Sequence, residues 1–147
     1  VLEEMDYIYK REQEIEERKK KIHAVDKAFL NHELEVPTKI PLFPFQKEAV
    51  DFINKVGGKV LIADDMGIGK TIEAIGYAVF KNYGRVLVVC PSSIKNNWER
   101  EILKFTGVKA NILTDTKERG GWEIIGYPNL EKYLKYLRQQ DYQLIIF

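Results

Sequence analysis

The chain has 147 residues, 45% of them hydrophobic, which is enough for one buried core and too few for two complete domains. Its 23 basic and 22 acidic side chains leave a formal net charge of +1, which excludes a whole-molecule electrostatic pull toward nucleic acid and makes any such contact local. Apolar runs such as Val60 to Ala63 and Leu144 to Phe147 fall far below the roughly 20 residues that cross a bilayer, and the acidic N-terminal stretch does not read as a signal peptide, so no membrane partner is expected.

The only cysteine, Cys90, excludes an internal disulfide and reads as a small buried hydrophobe in a reducing compartment. The expected location is intracellular: cytoplasmic in a prokaryote, nuclear in a eukaryote. The chain starts at Val1 and stops inside an apolar run, so both ends read as cut.

In chain order, residues 3 to 33 are highly charged and free of Pro and Gly, and Ile8, Ile15, Ile22 and Phe29 recur every seven residues. This predicts one long helix with a narrow apolar stripe. Glu12, Lys19 and Asp26 fall where a coiled coil would need its second apolar position, so the helix either lies against the main domain or projects into solvent. Pro37, Pro41 and Pro44 then mark an extended connector. The boundary falls at 36/37, with a helical extension over 1–36 and a nucleotide-binding lobe over 37–147.

From there apolar strands alternate with helices. Helices are predicted at about Pro44 to Val56, Lys70 to Asn82, Ser93 to Phe105 and Asn129 to Gln139. Strands are predicted at Lys59 to Ala63, Arg85 to Cys90, Lys109 to Leu113, Trp122 to Gly126 and Gln143 to Phe147. Continuously apolar strands between helices indicate a parallel sheet covered on both faces, a doubly wound α/β domain.

The most informative stretch is Ala63-Asp64-Asp65-Met66-Gly67-Ile68-Gly69-Lys70-Thr71, between a predicted strand and a predicted helix. Gly67 and Gly69 let the backbone turn so that the N–H groups around Met66, Ile68 and Gly69 face phosphate oxygens, with the helix N-terminus behind them. Lys70 would reach the β- and γ-phosphates and the Thr71 hydroxyl would ligate Mg²⁺, which makes ATP with Mg²⁺ the expected ligand. The full phosphate-loop pattern asks for a further glycine where Asp64 stands, which disfavours a small-molecule kinase. Asp64 and Asp65 would repel a triphosphate unless turned away, so they read as structural or as holding Lys70 in the empty site.

The run Ala63 to Thr71 followed by Ile72-Glu73-Ala74-Ile75 resembles motif I of the Swi/Snf-type ATPases of the second helicase superfamily. Leu42-Phe43-Pro44-Phe45-Gln46-Lys47-Glu48-Ala49-Val50 is similar to that family's glutamine-bearing helix, which implies that Gln46 reads the adenine edge; the family more often has Arg where Phe43 stands. Val88-Val89-Cys90-Pro91-Ser92-Ser93-Ile94-Lys95-Asn96-Asn97-Trp98 resembles motif Ia, which implies that Ser92, Ser93 and Lys95 grip the DNA backbone. A helix N-terminus, two hydroxyls and an ammonium suit a phosphate; the plainer reading is that Ser93 caps a helix and Lys95 is a solvated charge. Ile124-Ile125-Gly126-Tyr127-Pro128-Asn129-Leu130 looks like the motif Ib region, where Tyr127 would touch a second stretch of backbone or simply close the strand. Asp64-Asp65-Met66-Gly67 with Pro91-Ser92-Ser93 leans toward the annealing-helicase branch.

The resemblance implies a RecA-like fold for residues 40 to 147 and the first lobe of an ATP-dependent double-stranded-DNA translocase, active in DNA repair or remodelling. It implies an Asp-Glu pair directly after a strand like Leu144 to Phe147, and arginine fingers from a second RecA-like lobe. Residues 1–147 alone are therefore expected to bind nucleotide weakly and hydrolyse almost none. Two alternatives stand beside this: an unrelated phosphate-loop NTPase or nucleotide kinase, and a non-catalytic interaction module working through the N-terminal helix.

Overall fold

The computed structural model describes residues 2–25, 29–63, 69–114 and 119–147. Helix α1 spans Leu2–Ala24. It lacks helix breakers and carries surface pairs such as Lys10 with Asp6 at 2.9 Å and Arg11 with Glu14 at 3.2 Å, each worth a few tenths of a kcal/mol at most. Ile8, Ile15 and Ile22 are 54%, 44% and 38% exposed, so the apolar stripe projects into solvent rather than lying on the lobe.

The helix stops at Ala24, short of the expected residue 33. Hydrogen bonds to the next helix, α2 (Pro44–Lys55), and one local side-chain bond compete with continued helix at the far end of this stretch. Asn31 N–H donates to Asp51 Oδ2 (2.8 Å), Lys55 Nζ donates to Phe29 O (3.3 Å), and Glu33 N–H donates to Asn31 Oδ1 (2.9 Å). Asp51 is buried and also accepts from Lys55 Nζ at 2.7 Å.

Helix α3 spans Lys70–Phe80 and strand β1 spans Val86–Cys90. A short 3₁₀ turn, Ser92–Ile94, leads into α4, Lys95–Thr106. Strands β2 (Asn111–Ile112) and β3 (Trp122–Gly126) follow, then a second 3₁₀ turn at Tyr127–Asn129, helix α5 (Leu130–Arg138) and strand β4 (Leu144–Ile146). The four strands form one sheet in the order β2-β3-β1-β4, and every pairing is parallel.

All five residues of β1 and all five of β3 are buried, as a sheet covered on both faces requires. Side-chain alternation divides the core. Val86, Val88, Cys90, Trp122 and Ile124 pack with residues of α2, α3 and α4 on one face. Leu87, Val89 and Ile125 pack with Tyr133 and the rest of α5 on the other. The chain is thus a doubly wound parallel α/β sheet preceded by a long charged helix.

The expected strand at Lys59 to Ala63 is absent: the segment carries no strand hydrogen bonding, and Leu61 is 86% exposed. A strand needs a laddered neighbour, and among the described residues none lies beside this segment. Among the described residues β4 pairs only with β1. A cavity of about 440 Å³ has Val60, Leu61 and Ile62 as well as β4 and Phe147 in its lining.

Close packing brings α2 onto α3. A Cβ on Gly76 would lie 2.8 Å from Leu42 Cδ1 and 3.2 Å from Val50 Cγ2, so glycine there sets the distance between the two helices.

Candidate nucleotide and nucleic-acid site

The first turn of α3 holds Lys70 and Thr71, two of the residues singled out in the sequence as candidate phosphate ligands. Gly69 is its N-cap in the left-handed region (φ 96°, ψ 38°), where a side chain is strained. Its carbonyl accepts from the N–H groups of Ile72 (2.9 Å) and Glu73 (3.1 Å), closing the turn behind Lys70 and Thr71. Both residues are half-buried and line the 440 Å³ cavity, most of whose other lining residues are apolar. Asp64, Asp65, Met66, Gly67 and Ile68 lie outside the described residues, so the loop's contribution to the site remains a reading of the sequence.

Gln46 is buried (3% exposed) and lies between the start of α2 and the start of α3. Its Oε1 accepts the Phe43 N–H at 3.0 Å, a side chain reaching back to the start of its own helix as in a capping box. Its Nε2 lies 2.8 Å from the position a Cβ on Gly69 would take. Glycine at 69 is thus needed twice, for its backbone angle and for the amide beside it. This capping duty was not foreseen from the sequence, although Gln at the third helical position after a Pro at the first is a legible signal.

The candidate nucleic-acid residues converge at the C-terminal ends of β1 and β3, where Cys90 pairs with Gly126. Ser92 Oγ and Lys95 Cδ lie 2.5 and 3.6 Å from where a Cβ on Gly126 would be. Tyr127, next in the chain, is 47% exposed. Ser92, Lys95 and Tyr127 therefore share one edge of the molecule. Ser93 sits on the same exposed turn and does not cap α4: the N-cap position is Ile94, and no side chain caps it. The helix begins at Lys95 rather than at Ser93 as expected, because the 3₁₀ turn takes up the intervening residues. Cys90 is a buried free thiol; burial pushes its pKa up, and the nearby Lys95 ammonium opposes the shift.

At the opposite end of the same strands lies a buried polar brace that the sequence reading missed. Glu123, fully buried in β3, accepts from Gly120 N–H (2.7 Å), from Tyr136 Oη (2.5 Å) and from the Tyr142 hydroxyl. Arg85 lies 3.7 Å away, stacks over the Tyr142 ring at 5.0 Å and donates to Gln140 at 2.7 Å. Burial works against ionisation of Glu123, but these donors outweigh it and hold the carboxyl below its ordinary pKa. Burial first, then the Glu123 carboxylate, push both tyrosines up. The available signal was a carboxylate in the middle of an apolar strand, which has to find partners.

Among the described residues no helix is long and apolar enough to cross a membrane. A family model for the SNF2-related domain matches residues 5–146. The chain is 32% identical over 116 residues to a Caenorhabditis elegans homolog of SWI/SNF-related matrix-associated actin-dependent regulator of chromatin subfamily A-like protein 1; the match covers 72% of this chain and 17% of that protein. It is 45% identical over 65 residues to the Bos taurus DNA annealing helicase and endonuclease ZRANB3, covering 44% of this chain and 6% of that one. Its fold is similar to a solved structure described as the Sulfolobus solfataricus SWI2/SNF2 ATPase core in complex with dsDNA, with a TM-score of 0.67, 29% identity, and 76% of this chain and 27% of that one covered. The chain thus spans about a sixth or less of the length of these two curated relatives. With the model matched over nearly all of its residues and the same fold in a solved member, the chain belongs to the SNF2-related domain family.

Proposed function

We propose that residues 37–147 are the nucleotide-binding first lobe of an ATP-dependent double-stranded-DNA translocase, with residues 1–36 a helical extension from it. The observation that carries this reading is the geometry at Gly69, Lys70 and Thr71. A glycine N-cap in the left-handed region opens a helix whose first N–H groups are directed out of its end. Its first two side chains are an ammonium and a hydroxyl on the wall of one cavity. That donor set fits a triphosphate with Mg²⁺.

In this reading Lys70 neutralises the β- and γ-phosphates, the Thr71 hydroxyl is the protein's ligand to the metal, and the α3 N-terminus adds its positive end. Gln46, whose amide lies beside Gly69, would read the adenine edge, as the family resemblance implies. Bound Mg²⁺ would supply charge neutralisation at the β- and γ-phosphate oxygens. Ser92, Ser93, Lys95 and Tyr127 would hold duplex backbone, a positioning role without sequence readout; the description of the Sulfolobus structure as a complex with dsDNA supports this. Residues 1–147 alone would bind nucleotide without appreciable turnover, with hydrolysis carried out by the longer protein together with a second lobe. Its place would be intracellular, cytoplasmic in a prokaryote or nuclear in a eukaryote.

The test is ATPase activity of the longer protein. Duplex DNA should stimulate it and Lys70→Ala should abolish it. Activity indifferent to DNA would overturn the translocase reading, and a Lys70→Ala protein with every measurable property intact would favour a non-catalytic interaction module.

A further inference from the structure

Along α1 every described side chain but that of Arg18 is exposed, and Met5, Ile8, Ile15 and Ile22 are among them. A helix in water gains most of its stability by packing an apolar face, and here that face is bare. The charges of the helix are also segregated. From Met5 to Glu17 there are five acidic and two basic residues, whereas Arg18, Lys19, Lys20 and Lys21 are four bases in a row. Lys10 and Arg11, the two bases of the first stretch, already pair within the helix with Asp6 and Glu14. Among the described residues Glu12, Glu16, Glu17 and the four bases after them form no ion pair. One stretch is therefore a net anion and the next a net cation.

We propose that α1 pairs with the α1 of a second copy of this chain, antiparallel, along the stripe of Ile8, Ile15 and Ile22. With the Ile15 side chains of the two copies opposed, Ile8 of each meets Ile22 of the other. Glu12 follows Ile8 by four residues and Lys19 follows Ile15 by four, so both lie on the same flank of the stripe. A two-fold axis brings like flanks together. Glu12 of each copy then stands within one residue's rise, about 1.5 Å, of Lys19 of the other. The charges at 12 and 19 that break a conventional two-position seam thus form the rim of this one. A parallel pair keeps three isoleucine contacts but lays the four-base stretch against its own copy and the acidic stretch against its own, which is repulsive. Charge segregation therefore selects the antiparallel arrangement. Three isoleucine layers make a small interface beside the ~800 Å² per partner of a standard one, so the dissociation constant should be about 100 µM. Helix α1 contributes no residue to the cavity that Lys70 and Thr71 line, and the pairing is independent of the nucleotide reading.

The test is sedimentation equilibrium of the chain from about 5 to about 500 µM, with weight-average mass rising from monomer toward dimer and the midpoint near ~100 µM. Ile15→Glu sets two carboxylates against each other on the axis and should leave a monomer throughout. Lys19→Glu should weaken the dimer by about tenfold, because two rim pairs become repulsive. Adding Glu12→Lys to Lys19→Glu should restore it to within about threefold. Ile15 is exposed on a helix clear of the core, so the lobe of each variant should melt as the parent does.

Orientation is read by energy transfer between dyes on introduced cysteines, since Cys90 is buried and shielded from labelling. In the antiparallel pair Glu3→Cys on one copy lies about 10 Å from His23→Cys on the other, while two Glu3→Cys copies are about 35 Å apart at 1.5 Å per residue. Transfer should be stronger for the mixed pair. A monomer at every concentration would overturn the proposal and leave the stripe to another segment of a longer protein or to a different partner. A dimer untouched by Ile15→Glu would put the interface elsewhere, and stronger transfer between two Glu3→Cys copies would show a parallel pair; either result refutes the arrangement.

Discussion

Replacing Glu123 tests whether the buried brace holds the sheet to α5. Glu123→Ala would leave the Gly120 N–H and the Tyr136 and Tyr142 hydroxyls without their shared acceptor, and the Arg85 guanidinium without its counter-charge. Removing one partner from a buried charged network costs about 3–5 kcal/mol. The Arg85 pairing contributes the smaller part, since it is long at 3.7 Å and Arg85 keeps its bond to Gln140. Glu123→Gln keeps the shape and an acceptor oxygen but drops the charge, and should cost about 1–2 kcal/mol.

Urea unfolding followed by tryptophan fluorescence suits the measurement, because Trp122 is buried beside Glu123. The folded-state pKa of Glu123 lies below its unfolded value of about 4.5. Its contribution is therefore fully present above pH 4.5 and is lost as the pH falls through the folded value. Glu123→Gln should flatten that part of the stability–pH curve. A Glu123→Ala chain within about 0.5 kcal/mol of the parent at pH 7 would refute the reasoning, because surface substitutions away from such features have effects of that size.

Gly76→Ala should destabilise the lobe by about 1–3 kcal/mol through overpacking against Leu42 and Val50, read from the same urea curves. Asp51→Ala removes the acceptor of the Asn31 N–H and Lys55 Nζ; it should cost about 1–2 kcal/mol and speed proteolysis between α1 and α2. Gly69→Ala should leave a folded chain, measured by circular dichroism, that no longer binds tripolyphosphate, since a Cβ there meets both a positive φ and the Gln46 amide.

Much of the lobe was legible because its signals are local. β1 and β3 are continuous apolar runs, and their neighbouring helices carry the right period, so the α/β class and four of the five expected strands could be read directly. The helix start at Gly69 and Lys70 was legible because its signal is written in adjacent residues. The strand expected at Lys59 to Ala63 failed because β-structure depends on a neighbour supplied by another part of a chain, which composition does not report. The early end of α1 likewise follows a stretch tied down by Asp51 and Lys55, more than 20 residues away.

The sequence by itself determined which segments could be helices and strands, and which few side chains could neutralise a phosphate, because those properties depend on residues within a turn or two of one another. Only the tertiary structure decided that Gln46 reaches Gly69, that Ser92, Lys95 and Tyr127 share one edge, and that Glu123 is enclosed by Tyr136, Tyr142 and Arg85. Each of those meetings joins separate elements across the sheet or between packed helices. Their distances are set by how the whole core closes, not by the spacing of residues along the chain.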